Sequence, residues 1–401
     1  MSELKPIFNA LLRSKAGALM LLFQIAITTA IVSNAAFIIY DRMTYLNKET
    51  GYPEEELFYF RVTSFEENAD YNQQIELDEA LLRNIPGVIN AANFTAVPLT
   101  GSGSSSSFSV VPEPEEGRSA NAAYSMSDHN AIETLGVKLI AGRDFTEEDV
   151  VFAQNYDKLP TVAIVSKAWA EELFPDEDAL GKVFYVRNAP AKIIGIVEQM
   201  TAPWPSSNVA EKVVIFPLIN GTARQKFIVR AHAGERAAIM RQIEDLMLQE
   251  NNQRVITSLQ GLDEAKAEYN ASDTLMLRML VVLIVVLVSV TALGIFGLTL
   301  FNISKRTKQI GTRRAIGARK SDIIRYFLLE NTMVCLAGLV LGCIGAILVA
   351  HQLMAHYSLP ALDYAYVVGT ALFVLLISLL AVIVPARRAA NISPSIATRS
   401  I

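Results

Sequence analysis

Along the chain the hydrophobic positions fall into two regimes: four long stretches without a single charge, and a central region where short apolar runs alternate with polar ones. Residues 16–40 and 279–304 are wholly uncharged, and so are the stretches that begin at 331 and 364. Each exceeds the ~18 residues needed to cross hydrocarbon at ~1.5 Å per helical residue. This pattern predicts a membrane protein with four transmembrane α-helices, one N-terminal and three C-terminal, and an α+β extracytoplasmic domain inserted between the first and second. The expected spans are 16–40, 279–304, 331–352 and 364–386, with the inserted domain over 41–275. A segment at 305–329, an outer loop at 353–363 and a tail at 387–401 complete the division.

Within 41–275 the β-branched and aromatic runs 57–62, 161–165, 183–186, 192–197 and 212–216 are bounded by turn residues and read as strands. Helices are expected at 76–84, 166–173 and 235–250. In the last, Ala238, Ile239, Ile243, Leu246 and Met247 share one side. Residues 263–273 are charged and free of Gly and Pro, which suits an outward prolongation of the second span. The Ser/Gly run 101–107 reads as a flexible tongue or a boundary.

At the N-terminus, Leu4, Ile7, Phe8, Leu11 and Leu12 fall on one side of a helix with Lys5, Asn9 and Arg13 on the other. This is an amphipathic helix over 1–15 on the inner leaflet, or a plain extension of the first span. The 16–40 stretch far exceeds the ~7–15-residue apolar region of a cleaved leader, so an uncleaved signal-anchor is expected.

Charge fixes the orientation, because basic residues near short loops stay in the cytoplasm. Lys5, Arg13 and Lys15 precede the first span. Lys305, Arg306, Lys308, Arg313, Arg314, Arg319, Lys320 and Arg325 follow the second, and Arg387, Arg388 and Arg399 follow the fourth. Only Glu3, Asp322 and Glu330 oppose them, while the loop 353–363 carries no Lys or Arg. Both termini and the 305–329 segment are therefore cytoplasmic.

Composition agrees: 52% of residues are hydrophobic and 19% charged, and the net charge of −5 offers no footprint for nucleic acid. Cys335 and Cys343 lie in one apolar stretch and read as buried thiols. His129, His232, His351 and His356 are scattered, so no metal set is expected. No G-x-x-x-x-G-K-[ST] string occurs, so ATP chemistry would have to come from another polypeptide. No charge interrupts a span, which argues against an ion-coupled transporter or channel.

The cytoplasmic stretch Lys305, Arg306, Thr307, Lys308, Gln309, Ile310, Gly311, Thr312, Arg313, Arg314, Ala315, Ile316, Gly317, Ala318, with Asp322 and the Leu328-Leu329-Glu330 run beyond it, resembles the signature of MacB/FtsX-type ABC permeases. Further similar runs lie at 85–88, 142–146, 180–182, 194–197 and 385–390. The resemblance implies a MacB-like periplasmic core plus an FtsX-like transmembrane part, without a fused ATPase, in a bacterial inner membrane. It also implies that the basic stretch is a coupling element docking on a separate ABC ATPase. On physical grounds alone, Gly317 is placed to end one helix, and Ser321 with Asp322 can cap the next. The bland reading is a basic anchoring loop with no partner.

Gln309 departs from the family, which usually has an acid there, and Ala397-Thr398-Arg399 departs near the end; a neutral Gln cannot make a carboxylate's charge-assisted bonds. One implication is a non-identical permease pair whose other chain retains the acid. Gly338, Gly342 and Ala346 form a small-residue face that suits either packing within the chain or dimerisation.

The resemblance implies no cofactor on this chain, with ATP and Mg held by the partner ATPase. The expected partners are ABC ATPase subunits, a second permease chain of the same or a related kind, and a periplasmic adaptor with an outer-membrane channel. The activity it implies is transmission of ATP-driven motion to the periplasmic domain for export or extrusion of a drug, peptide, toxin or lipid-linked substrate. The rival is an FtsX-like or lipoprotein-release-like mechanotransmitter that acts on an outer partner without transporting solute.

Overall fold

The computed structural model describes residues 15–66, 69–154, 156–357 and 362–393. The amphipathic helix expected before Lys15 and the end of the tail lie outside them. Nine α-helices and twelve strands are described. In chain order they are α1 (Lys15–Leu46), β1 (Leu57–Ser64), α2 (Tyr71–Arg83), β2 (Val88–Asn93), β3 (Ser104–Ser109), β4 (Ser119–Ser127), α3 (Ala131–Leu135), β5 (Leu139–Gly142), β6 (Val151–Ala153), β7 (Val162–Ser166), α4 (Lys167–Leu173), β8 (Val183–Val186), β9 (Ala189–Val197), β10 (Val213–Asn220), β11 (Arg224–Ala231), α5 (Arg236–Glu250), β12 (Arg254–Gly261), α6 (Leu262–Tyr269), α7 (Ala271–Ala315), α8 (Lys320–Tyr357) and α9 (Tyr364–Ala390). The chain divides into a helical unit, 15–46 with 273–393 of the described residues, and a unit over 47–272.

In the helical unit all four long helices are apolar enough to cross a membrane. They outrun the charge-free stretches because helix continues through charged residues that are good helix formers; loss of apolarity marks the membrane edge, not the helix end. The segment expected as a loop at 305–329 is accordingly the end of α7, a short turn and the start of α8. The core of this unit joins Leu21 and Ile25 of α1, Ile295 of α7, Cys335 and Leu339 of α8, and Val374 and Val382 of α9.

Small residues set the approach of α1 to α8. A Cβ on Gly338 would meet Ile25 and the Leu22 carbonyl at 2.9 Å, and one on Gly342 would meet Thr29 at 2.7 Å. Ala346 is fully buried, and its carbonyl accepts from Asn34 Nδ2 at 3.1 Å. Across α8 and α9, Asn331 Nδ2 donates to Ser378 Oγ at 2.7 Å, the kind of interhelical polar pairing that apolar surroundings favour. Cys335 is buried, but Cys343 is only half-buried, because helical drift over eight residues carries it off the packed face.

The second unit is built on a four-stranded antiparallel sheet of order β12-β1-β11-β2, with the split β-α-β arrangement β1-α2-β2 and β11-α5-β12. Apolar faces of α2 and α5 (Ile75, Leu82, Ile239, Ile243, Met247) pack against Phe58, Phe60 and Phe227 of the sheet. Within this layer Arg254 is fully buried, its Nη1 2.7 Å from both carboxylate oxygens of Asp78. Charge burial at this depth requires such bidentate pairing.

Into the connection between β2 and β11 is inserted a second sheet. Its pairings run β4-β3-β8-β9-β7-β10, and β10 pairs back onto β4, so six strands close a ring; β5 and β6 are added outside it. Interior positions alternate along each strand, as a closed sheet requires: Ala120 and Ala122 on β4, Phe108 on β3, Phe184 on β8, Ala191 and Ile193 on β9, Ala163 and Val165 on β7, Val214 and Phe216 on β10.

Two expectations are corrected here. Ser104–Ser107, read as part of a flexible tongue or boundary, belong to strand β3, laddered against the Ala-rich β4. Serines on both faces hide the period-2 signal. Residues 263–273 do not prolong the second span as one rod, for α6 ends at Tyr269, with Asn270 as its C-cap, and packs Leu262 and Ala265 into the core of the large unit. An apolar stripe on that helix outweighed its lack of breakers.

Candidate coupling hairpin

The cytoplasmic ends of α7 and α8 form a helical hairpin. Helix α7 stops at Ala315 through a Schellman motif: the Ala318 N–H donates to the Arg313 carbonyl at 3.1 Å and the Gly317 N–H to the Arg314 carbonyl at 3.2 Å. Gly317 sits at φ +104, which an L side chain rarely adopts. Arg314 Nη1 closes the turn on the Ala318 carbonyl at 2.9 Å.

Helix α8 then starts at Lys320. Capping falls to one residue of the expected pair: Asp322 Oδ2 accepts the Arg319 N–H at 2.9 Å, the reach of an acid in the first turn back to the residue ahead of the helix. Ser321 lies one position too early to do this.

The sides of the hairpin are fastened by polar and aromatic contacts. Arg306 Nη1 donates to Glu330 Oε2 at 3.0 Å and lies 3.3 Å from the Tyr326 hydroxyl; the Arg313 guanidinium stacks 5.0 Å over the Tyr326 ring. Lys305 lies 4.4 Å over the Phe301 ring of its own helix. Between the helices Gln309, Arg313 and Tyr326 line a cleft of about 30 Å³, room for about one water. Glu330 Oε1 is buried without a partner.

The candidate residues split into two groups. Arg306, Ile310, Gly311, Arg314 and Ala318 face inward or half-inward and hold the hairpin; Ile310 and Gly311 are buried, so neither presents free surface. Lys305, Gln309, Arg313, Ala315, Ile316 and Gly317 are exposed, and Ile316 stands 82% exposed at the tip, ringed by Arg313, Arg314 and Arg319 in sequence. Tyr326 and Phe327 did not stand out in the sequence. Their one signal in the sequence is placement three and four residues after Ile323, a spacing that any helix packing on one side also shows.

The tip thus presents one large apolar side chain among cations, surface that no other described part of this chain covers. Among the described residues no group of His, Cys, Asp and Glu could hold a metal.

Comparisons with known proteins cover both units. An FtsX-like permease C-terminal family model matches residues 281–394, and a MacB-like periplasmic core domain model matches residues 20–246. The macrolide export ATP-binding/permease protein MacB 2 of Aeromonas hydrophila is 30% identical over 65% of this chain and 40% of its own length. The pyoverdine export ATP-binding/permease protein PvdT of Pseudomonas aeruginosa is 29% identical over 67% of this chain and 41% of its own. The chain thus spans about 40% of the length of the curated relatives it matches. The crystal structure of the periplasmic region of MacB from Actinobacillus actinomycetemcomitans aligns with 52% of this chain and 91% of that region, with 17% identity and a TM-score of 0.34.

Proposed function

Because the chain belongs to the family of permeases that carry a MacB-like periplasmic core domain and an FtsX-like C-terminal domain, we propose that it is the permease subunit of an ABC transporter of the MacB type. It is a multi-pass inner-membrane protein with a large periplasmic domain. In this reading two permease chains pair, ATP and Mg are bound by separate ATPase subunits, and closure of those subunits moves the α7–α8 hairpins. The motion reaches the periplasmic domain as a rigid-body shift and drives export of a substrate. Export in the names of the relatives supports this over a purely regulatory role.

The observation that carries the reading is the tip itself: Ile316 exposed on a hairpin locked by a Schellman turn and the Arg306–Glu330 pair. A membrane-anchoring loop requires the cations but neither the lock nor the apolar tip. The deciding experiment is purification of the full chain with its cellular partners. Recovery of an ABC ATPase, with crosslinks from residue 316 to it, supports the proposal; crosslinks to lipid alone would overturn it. Deletion that leaves resistance and secretion unchanged while altering an outer partner's activity would favour the mechanotransmitter alternative.

A further inference from the structure

From the geometry of the six-stranded ring in the periplasmic unit we infer that its mouth binds an amphipathic monoanion, an acyl or aromatic body seated in the ring with its carboxylate or sulfonate held by Arg187. The two ends of the ring differ. At one end α4 lies across the opening, with fully buried Trp169 edge-on to Phe108 and Phe184, and its Nε1–H pointing at the Ala120 carbonyl at 3.4 Å. That end is plugged.

At the other end the strands β4, β8 and β10 finish and β3, β7 and β9 begin, and there the interior is not filled. A cavity of about 310 Å³ remains, floored by Phe108 and Phe216 and walled by Tyr124, Met126 and Ala191. This lies within the ~300–1,000 Å³ of small-molecule sites, which favour barrel mouths. The space follows in part from sequence: Ser106, Ala189 and Ala191, three of the positions that line it, are too small to meet across the ring. It also follows from pairing. Strands β3 and β8 share one ladder pair, Ser109 with Tyr185, so residues 104–108 of β3 have no ladder partner on β8.

The polar groups point to the ligand's charge. Arg187 lines the cavity from the two-residue turn between β8 and β9. Its backbone carbonyl accepts the Glu113 N–H at 3.2 Å, and its guanidinium makes no hydrogen bond or ion pair among the described residues. No acidic residue lines the cavity, and Ser106 and Tyr124 are its other polar lining residues, the Ser106 hydroxyl donating to the Ser107 carbonyl. Arg187 also sits at φ +57, a place where glycine is the ordinary choice for a hairpin turn. A strained non-glycine residue whose charge is unspent beside an apolar cavity is placed for function. A lone cation at the rim of an apolar chamber complements an anion with an apolar body. Binding there does not depend on whether the chain exports what it binds.

The test uses the full chain in lipid nanodiscs, with equilibrium dialysis of 2-naphthoate against empty nanodiscs as the blank. Saturable binding near one per chain is expected. Arg187→Gly should weaken 2-naphthoate at least about tenfold, while its melting temperature stays equal or rises because glycine suits that φ. The neutral 2-naphthamide should bind wild type and Arg187→Gly alike, and Ala189→Phe should exclude both probes. Absence of saturable 2-naphthoate binding would overturn the inference, as would undiminished anion binding by Arg187→Gly. Tighter binding of 2-naphthylmethylammonium than of 2-naphthoate would overturn the assigned charge.

Discussion

Arg306 and Glu330, 24 residues apart in sequence, meet at 3.0 Å across the α7–α8 hairpin, with the carboxylate buried and its second oxygen unpartnered. Removing only the cation strands a buried negative charge. Arg306→Ala should therefore cost about 3–5 kcal/mol, whereas Arg306→Met with Glu330→Leu should cost far less. Thermal unfolding of the nanodisc-embedded chain distinguishes the two. Equal losses for both variants would show that packing, and not charge, holds the hairpin.

Ile316 has an exposed side chain and belongs to no core cluster, so Ile316→Asp should leave stability within about 0.5 kcal/mol of wild type. Under the proposed function it should reduce recovery of the ATPase at least about tenfold, through lost apolar burial and a charge placed in an apolar pocket. Pull-down at constant permease level measures this.

Glycines in the membrane helices should respond with opposite signs. At Gly342 a Cβ meets Thr29 at 2.7 Å and the Ala26 carbonyl at 2.9 Å, so Gly342→Ala should destabilise by about 1–3 kcal/mol. At Gly297 a Cβ meets nothing within 4 Å, so Gly297→Ala should be neutral or stabilising by up to about 1 kcal/mol. Melting temperatures of the pair check both at once.

In the periplasmic unit, Arg143 clamps Asp149, whose Oδ2 also accepts the Thr146 N–H at 2.8 Å, and this holds the Asp149 carboxyl down at about 2, below its usual 3.8. A depressed acid favours the fold in full while ionised in both states, and by less once the unfolded state takes up the proton. Its contribution is complete above pH ~4 and disappears as pH falls from there toward ~2. Asp149→Asn should flatten that part of the stability–pH curve and lower stability at pH 7. An unchanged acid limb would show the pair to be screened by solvent.

The membrane architecture was legible because uninterrupted apolarity and basic flanks are strong, local signals. Strand β8, 183–186, could be read to the residue for a similar reason: it is short, aromatic and framed by turns. Strands β3 and β4 could not. Their serines and alanines give no alternation of large apolar and polar residues, and what pairs them is a ladder between the strands that no local pattern announces. At the hairpin, Gly317 announced the turn, since few other residues accept that backbone. Tyr326 did not announce itself, since its partners Arg306 and Arg313 lie on the opposite helix.

The six-stranded ring hangs from the β2–β11 connection of a sheet that is already complete without it. A lineage could therefore recarve the chamber's lining, swapping Ala189 or Arg187 for bulkier or oppositely charged residues, and leave the host sheet untouched. Selection for new cargo or new sensing would then register first as divergence in this graft, while the scaffold around it drifted slowly.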